Sequence, residues 1–303
     1  MQAVLQARGL TRRFGDATVL DGVDLDVRAG RMTGFVGANG AGKTTTMRIL
    51  LGVLAPSAGE VLWDGRPMTA ADRRDVGYMP EERGLYPKQR VAEQLVHLGR
   101  LHGMAAAAAR TSVEQLLGRL DLAGRADDKL ESLSLGNQQR VQVAAALVHG
   151  PTALVLDEPF SGLDPLAVDA MAGLLREEVA RGVPVLFSSH QLDLVERLCD
   201  DVVVLAQGRR VAAGTVAELR ARGGERVRLE VDPGSSADGG DLGWLRAVPG
   251  VRVLDVDGPR ALFGVDEPGA EQHVLAEALR RGPVRAFAPD VPPLSEVFRE
   301  VVR

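Results

Sequence analysis

The 303-residue sequence holds one cysteine, Cys199, and only three lysines, Lys43, Lys88 and Lys129. A single cysteine excludes an intramolecular disulfide and fits a reducing compartment, where it packs as a small apolar residue. No run approaches the roughly 18 apolar residues that a membrane-spanning helix needs. The opening stretch MQAVLQARGLTRRFG has no apolar core of the kind that makes a secretory signal. Any membrane role is therefore expected to run through a partner. Net charge is −5 and the arginines are spread along the chain with no basic stripe, which argues against a dedicated nucleic-acid binder. No internal repeat is visible. With 45% hydrophobic and 25% charged residues, the make-up is that of a soluble globular protein, long enough for one large domain and a small one.

Scarcity of lysine sharpens the reading of GANGAGKTT, residues 37–45, which fits the phosphate-binding pattern G-x-x-x-x-G-K-[ST]. The segment follows the apolar stretch Met32–Val36 and leads into TTTMRILLGVL, where Met47, Leu50, Leu51 and Leu54 fall at helical spacing. Glycines at 37, 40 and 42 let successive N–H groups turn inward without Cβ clashes, and the helix start adds its positive dipole end. The loop of Gly37, Ala38, Asn39, Gly40, Ala41, Gly42, Lys43, Thr44 and Thr45 is thus predicted to cradle a nucleoside triphosphate. Lys43 would reach the β- and γ-phosphates, and Thr44 would place its hydroxyl on Mg²⁺. The rival reading, a glycine-rich turn that happens to contain a lysine, leaves the flanking strand and helix unexplained.

Up to about residue 80, β-like runs alternate with turns: AVLQARGL, then VLDGVDLDVRAG with apolar–Asp alternation at Val23, Leu25 and Val27, then VLWDG. From residue 91 to about 148 the pattern turns helical, in VAEQLVHLGRLHGM, AAAAARTSVEQLLGRL and NQQRVQVAAALV. Past Pro151, ALVLDEP and VPVLFSSH read as buried parallel strands separated by the helix VDAMAGLLREEVARG, and VVVLAQGRRVAAG reads as a hairpin ending near residue 215. An α/β fold with helices on the faces of a parallel sheet follows. The Gly-, Ser- and Asp-rich GGERVRLEVDPGSSADGGDLG marks a boundary near residue 221, dividing a domain of residues 1–220 from an accessory α+β domain of residues 221–303. In the latter the pattern predicts strand 227–231, helix 241–248, strands 251–256 and 261–265, helix 270–281 and strand 284–288, the order of a split βαβ module. A final amphipathic run, LSEVFREVV, places Leu294, Val297, Phe298 and Val301 on one face.

Other segments share the logic of the phosphate loop. LVLDEP puts Asp157 and Glu158 at the C-terminal end of a buried strand, where α/β sheets bind ligands. Asp157 suits the water shell of Mg²⁺ and Glu158 suits a general base for an attacking water. In isolation two acids at a strand end are ordinary. SGLDP, residues 161–165, is a turn with helix-start chemistry. His190, closing VPVLFSSH, could donate to a γ-phosphate, although a lone histidine at a strand end is more often structural. His97 and His102 are five apart, off a common helix face, which argues against a metal pair. LSLGNQQR places Ser134, Gly136 and Asn137 at a helix start, a potential anion site that alone would be an ordinary cap.

Taken in order, GANGAGKTT, VGYMPEE, LSLGNQQR, ALVLDEP, SGLDP and SSH resemble the motif series of the ATP-binding subunits of ABC transporters, over roughly residues 4–215. The resemblance implies a P-loop NTPase fold of ABC type, with a RecA-like core, an antiparallel β subdomain and a helical subdomain inserted at about 82–150. It implies ATP and Mg²⁺ as cofactors and ATP hydrolysis as the activity, with Glu158, His190 and Lys43 catalytic. It further implies a head-to-tail dimer with a second ATP-binding subunit, in which Ser134, Gly136 and Asn137 act on the partner's nucleotide and Asp164 belongs to the binding set. Phe14, in RRFGD, would stack on adenine, the plainer alternative being an aromatic in a turn. The expected partner is an integral membrane permease, met by the inserted helical region with the ERGLYP loop at its edge. The expected location is the cytoplasmic face of the membrane, with no nucleic acid bound.

Two departures stand out. The family segment usually reads Leu-Ser-Gly-Gly-Gln, and here Leu135 and Asn137 differ. The position that usually offers a glutamine to Mg²⁺ and the attacking water is Glu81, which makes it a metal candidate alongside Thr44 and Asp157. Together with PEERGLYPKQ, GNQQ and the ending PPLSEVFREVV, these departures resemble the sodium-efflux (NatA-like) branch of the ABC-2 export group. The alternative is a soluble ABC ATPase working on ribosomes or DNA, but such proteins usually carry two such domains or long coiled-coil insertions. A regulator without turnover is disfavoured by the presence of both Glu158 and His190.

Overall fold

The computed structural model describes residues 4–82, 84–233 and 241–301. Arg83 of the ERGLYP loop, residues 234–240 of the predicted boundary segment and the last two residues of the chain lie outside these, as does the Val301 side chain. In chain order the elements are β1 Val4–Phe14, β2 Ala17–Arg28, β3 Met32–Val36, α1 Lys43–Leu50, β4 Ala58–Trp63, β5 Arg66–Pro67, α2 Ala70–Arg74 and β6 Val76–Met79. Then come α3 Val91–Leu101, α4 Ala106–Arg119, α5 Leu135–Leu147, β7 Ala153–Leu156, α6 Pro165–Ala180, β8 Val185–Ser189, α7 Leu192–Leu198, β9 Asp201–Ala206 and β10 Arg209–Thr215. The remainder is α8 Val216–Ala221, β11 Arg226–Val231, β12 Val251–Asp257, β13 Arg260–Val265, α9 Ala270–Arg281, β14 Val284–Asp290 and α10 Leu294–Val301. Two compact units divide between Val216 and Ala217.

The first unit is built on a six-stranded sheet, β10-β9-β3-β8-β7-β6, parallel except for the edge hairpin of β9 and β10. Every residue of β3, β7 and β8 is buried, which is why these strands read as continuous apolar runs. A second, antiparallel sheet runs β2-β1-β4-β5. Its strand β2 alternates, burying Leu20, Val23, Leu25 and Val27 in a core shared with Phe35, Met47 and Leu50. The register pairs Val36 with Ser189, and Leu156 with both Phe187 and Met79, so β3, β8, β7 and β6 end at one edge of the sheet. The segments that follow them, carrying residues 37–42, 190, 157–158 and 80–81, leave from that edge, where α/β sheets place their ligands. Between β6 and β7 lie α3, α4 and α5, in the span of the predicted helical insertion.

Helix α1 is shorter than its apolar spacing predicts: it stops at Leu50, and Gly52 turns the chain away at φ +71°. Leu51 and Leu54 still pack against the core from outside the helix.

The second unit carries its own antiparallel sheet, ordered β12-β13-β11-β14, in which β13 lies between β11 and β12. That is the split βαβ arrangement. Its predicted first helix, 241–248, is reduced to a 3₁₀ turn, Gly243–Ala247. Asp241 Oδ1 accepts the Gly243 N–H at 2.8 Å, and Pro249 and Gly250 (φ +71°) follow at once, leaving too few residues for an α-helix to nucleate. Leu245 on that turn is fully buried with Leu229, Phe263, Val274 and Ala278. In α10, Leu294 and Val297 are buried and Phe298 is partly so, as the amphipathic reading expects.

Candidate nucleotide site

The phosphate loop joins β3 to α1. Gly37 has no room for a side chain, since a Cβ there would stand 2.5 Å from the Leu205 carbonyl oxygen. Gly42, the N-cap of α1, sits at φ +106°, which only glycine adopts cheaply. Lys43 is buried, and its Nζ donates to the carbonyls of Gly37 at 2.7 Å and Ala38 at 3.3 Å, curling the loop around the ammonium. Ala41 N–H donates to Ala38 O at 3.1 Å, so these two alanines shape the turn. Asn39, Gly40, Gly42, Lys43, Thr44 and Thr45 then line a cavity of about 470 Å³, joined by Val19, Glu81, Asp157 and Glu158. Its volume lies within the range of small-molecule sites.

Asp157 is buried at the end of β7. Its Oδ1 accepts from the Ser188 hydroxyl at 2.5 Å, while Oδ2 is buried without a hydrogen-bond partner among the described residues. An unsatisfied buried carboxylate oxygen is costly, and a cation at that oxygen would satisfy it. With the Thr44 hydroxyl and the Glu81 carboxylate on the same cavity, the donor set is all hard oxygen and fits Mg²⁺. The negative charge is felt locally: burial and the neighbouring Asp157 raise the Tyr78 phenol above its ordinary range, with Arg48 opposing.

Glu158 occupies the left-handed region at φ +52°, a conformation that costs a non-glycine residue about 1–2 kcal/mol. Three contacts hold it there. Its N–H donates to Ser188 Oγ at 2.8 Å, its carbonyl accepts from Gln139 Nε2 at 3.0 Å, and its Oε2 lies 3.0 Å from His190 Nδ1. His190 is thus seated on Glu158 and exposed, which leaves Nε2 for an outside ligand.

Other predicted residues stand outside the cavity lining. Ser134 caps α5, its Oγ accepting the Asn137 N–H at 3.4 Å, and a Cβ added at Gly136 would lie 3.4 Å from the Leu163 side chain. Asp164 caps α6, accepting the Ala167 N–H at 2.9 Å. Phe14 is 48% exposed with the Arg12 guanidinium 4.5 Å above its ring, and the antiparallel sheet reaches the cavity through Val19 instead. Cys199 is buried, and burial pushes its thiol well above the ordinary range. Two residues that matter here escaped the sequence reading, Ser188 and Gln139. The signal available was a polar side chain inside an apolar strand and buried glutamines on α5.

A family model described as ABC transporter matches residues 20–161, and one described as the C-terminal domain of DrrA1-3-like ATP-binding proteins matches residues 214–302. An uncharacterized ABC transporter ATP-binding protein of Bacillus subtilis is 38% identical over 97% of this chain and 96% of its own length. The Nod factor export ATP-binding protein I of Burkholderia lata is 42% identical over 70% of this chain and 71% of its own. Among solved structures, one described as the ATP-binding subunit of an ABC transporter superposes with a TM-score of 0.67 at 32% identity, over 72% of this chain and 92% of that one. The cbiO1 protein of Clostridium perfringens, part of the transporter complex cbiONQ, gives 0.65 at 28% identity over 74% and 92%.

Proposed function

This chain belongs to the ABC transporter ATP-binding proteins, a family of ATPases, and from that premise we propose that it drives a separate membrane permease in the direction of export. One observation carries the catalytic part: Lys43, Thr44, Asp157 and Glu158, distant in sequence, line a single cavity at the edge of the parallel sheet. Lys43 would exchange its loop carbonyls for phosphate oxygens. Thr44, Asp157 and Glu81 would hold Mg²⁺, which supplies charge neutralisation at the phosphates when bound. A water oxygen then bonds to the γ-phosphorus as the bond to the ADP oxygen breaks, and Glu158 takes the water's proton. His190, its Nδ1 held by Glu158, would turn Nε2 toward the γ-phosphate.

Ser134, Gly136, Asn137 and Asp164 stand outside their own cavity, and Leu135 and Leu166 beside them are 59% and 81% exposed. Apolar side chains so placed suit contact with a second copy, whose nucleotide these residues would meet. Export is supported by the Nod factor export relatives, and the sodium-efflux branch by Glu81, GNQQ and the C-terminal ending. The chain would sit on the cytoplasmic face of the membrane through its permease, since no helix among the described residues is long and apolar enough to cross a bilayer. A ribosome- or DNA-directed ATPase fits less well, because α3 and α4 span only 11 and 14 residues, with no long coiled coil among the described residues. Affinity capture of the tagged chain from detergent-solubilised membranes is expected to bring down a polytopic membrane protein. Recovery with ribosomal subunits and no membrane protein would overturn the transport reading.

A further inference from the structure

Helix α5 buries three glutamines, Gln138, Gln139 and Gln142, and they behave differently. Gln138 donates to the Leu133 carbonyl at its own helix start, and the amide atoms of Gln142 have no hydrogen-bond partner among the described residues. Gln139 alone reaches across to the strand-end acids, its Nε2 donating to the carbonyls of Glu158 at 3.0 Å and Pro159 at 3.1 Å. Two carbonyls converging on one nitrogen need two N–H donors, which a side-chain amide supplies.

The backbone of Glu158 is thereby held from both sides. Ser188 on β8 takes its N–H, and Gln139 on α5 takes its carbonyl. Both are needed, because Glu158 sits at φ +52° and precedes Pro159, and each circumstance favours extended backbone instead. Released from either contact, the peptide would relax and carry the carboxylate away from the cavity. We infer that Gln139 is a positioning residue for the catalytic carboxylate, tying the helix capped by Ser134 to the hydrolytic end of the same subunit's site. The inference rests on the reading of Glu158 as the base.

The test is steady-state ATPase kinetics on the full-length chain. Gln139→Met keeps the length and removes the donors, Gln139→Glu keeps the shape and turns two attractions into repulsions, and Gln139→Lys restores donors of similar reach. Met and Glu variants are expected to lose about 10–100-fold in kcat, with KM and the affinity for a non-hydrolysable ATP analogue within about threefold of wild type. Lys is expected to recover kcat to within about fivefold of wild type. In a Glu158→Gln background, Gln139→Met should lower the residual rate no further, because it acts through that carboxylate. A Gln139→Met or Gln139→Glu protein with kcat within twofold of wild type overturns the inference, as does an equal further loss in the Glu158→Gln background. If Met impairs folding, the Glu and Lys variants, compared at equal folded fraction by thermal melting, decide by whether Lys outperforms Glu. A Glu158→Gln protein as fast as wild type would instead remove the base assignment itself, a result separable from failure at Gln139.

Discussion

Removal of one hydroxyl, in Ser188→Ala, strikes the site at a buried atom that two neighbouring acidic residues share. Ser188 is fully buried, and its Oγ donates to Asp157 Oδ1 at 2.5 Å while accepting the Glu158 N–H at 2.8 Å. Alanine leaves that N–H unpaired and leaves the Asp157 carboxylate, whose Oδ2 has no hydrogen-bond partner among the described residues, without the Ser188 donor. An unsatisfied buried group costs about 1–3 kcal/mol, more when charged, and loss of the serine's own desolvation offsets part of it, leaving about 3 kcal/mol net. In a unit of this size each kcal/mol moves the midpoint by about 2–4 °C, so the first unit should melt about 6–12 °C lower. Scanning calorimetry without nucleotide reads this directly, and kcat should fall in the same protein because Glu158 loses half of its backbone clamp. A midpoint within 2 °C of wild type together with unchanged kcat would refute the reasoning.

In Gly37→Ala, the new Cβ meets the Leu205 carbonyl at 2.5 Å, a backbone atom that cannot yield, so the loop must shift; affinity for a fluorescent ATP analogue is expected to fall at least about tenfold, and a Kd within twofold of wild type would contradict the close-approach argument. Glu81→Gln removes one charge from the cavity lining, so half-saturating Mg²⁺ for ATPase activity should rise a few-fold with kcat retained, whereas superimposable titrations would show that Glu81 does not sense the metal. His149, whose ring stacks on His102 at 3.8 Å, has its imidazole pushed from an ordinary 6.5 down to about 4, first by burial and then by His102. The neutral ring is favoured on folding, so its stabilisation is complete above about pH 6.5 and is lost as pH falls toward 4. Discounted for its partial exposure, wild type should lose roughly 1–2 kcal/mol more than His149→Phe between pH 7 and 4.5; parallel pH–stability curves would contradict this.

The strand, loop and helix around residues 32–50 were legible because glycine positions, apolar spacing and one lysine are local signals, and the structure gives the strand as Met32–Val36. Asp157 and Glu158 were legible because a buried parallel strand is an unbroken apolar run and its end announces itself. Contacts made by folding were not. Gln139 and Ser188 meet Glu158 from 19 and 30 residues away, and no periodicity marks a side chain whose partner is a backbone atom on another element. Helix ends were misjudged where glycine competes with apolar spacing, at Gly52 and before Gly250. Phe14 was chosen on resemblance, and its observed neighbour is Arg12. In the accessory unit the strands were legible along the chain, and β11 and β13 bury Val227, Leu229, Val231, Ala261 and Phe263 in that unit's core.

The central claim is that this cavity hydrolyses ATP with Glu158 as the base, and Glu158→Gln tests it most directly, because the amide keeps the shape and removes the proton acceptor. ATP affinity, read by a fluorescent analogue, and single-turnover hydrolysis are measured on the same preparation with Mg²⁺ present. The account predicts affinity within a few-fold of wild type, turnover reduced by about 10²-fold or more, and ATP-bound protein accumulating as a dimer on size exclusion. Hydrolysis within a few-fold of wild type would contradict it.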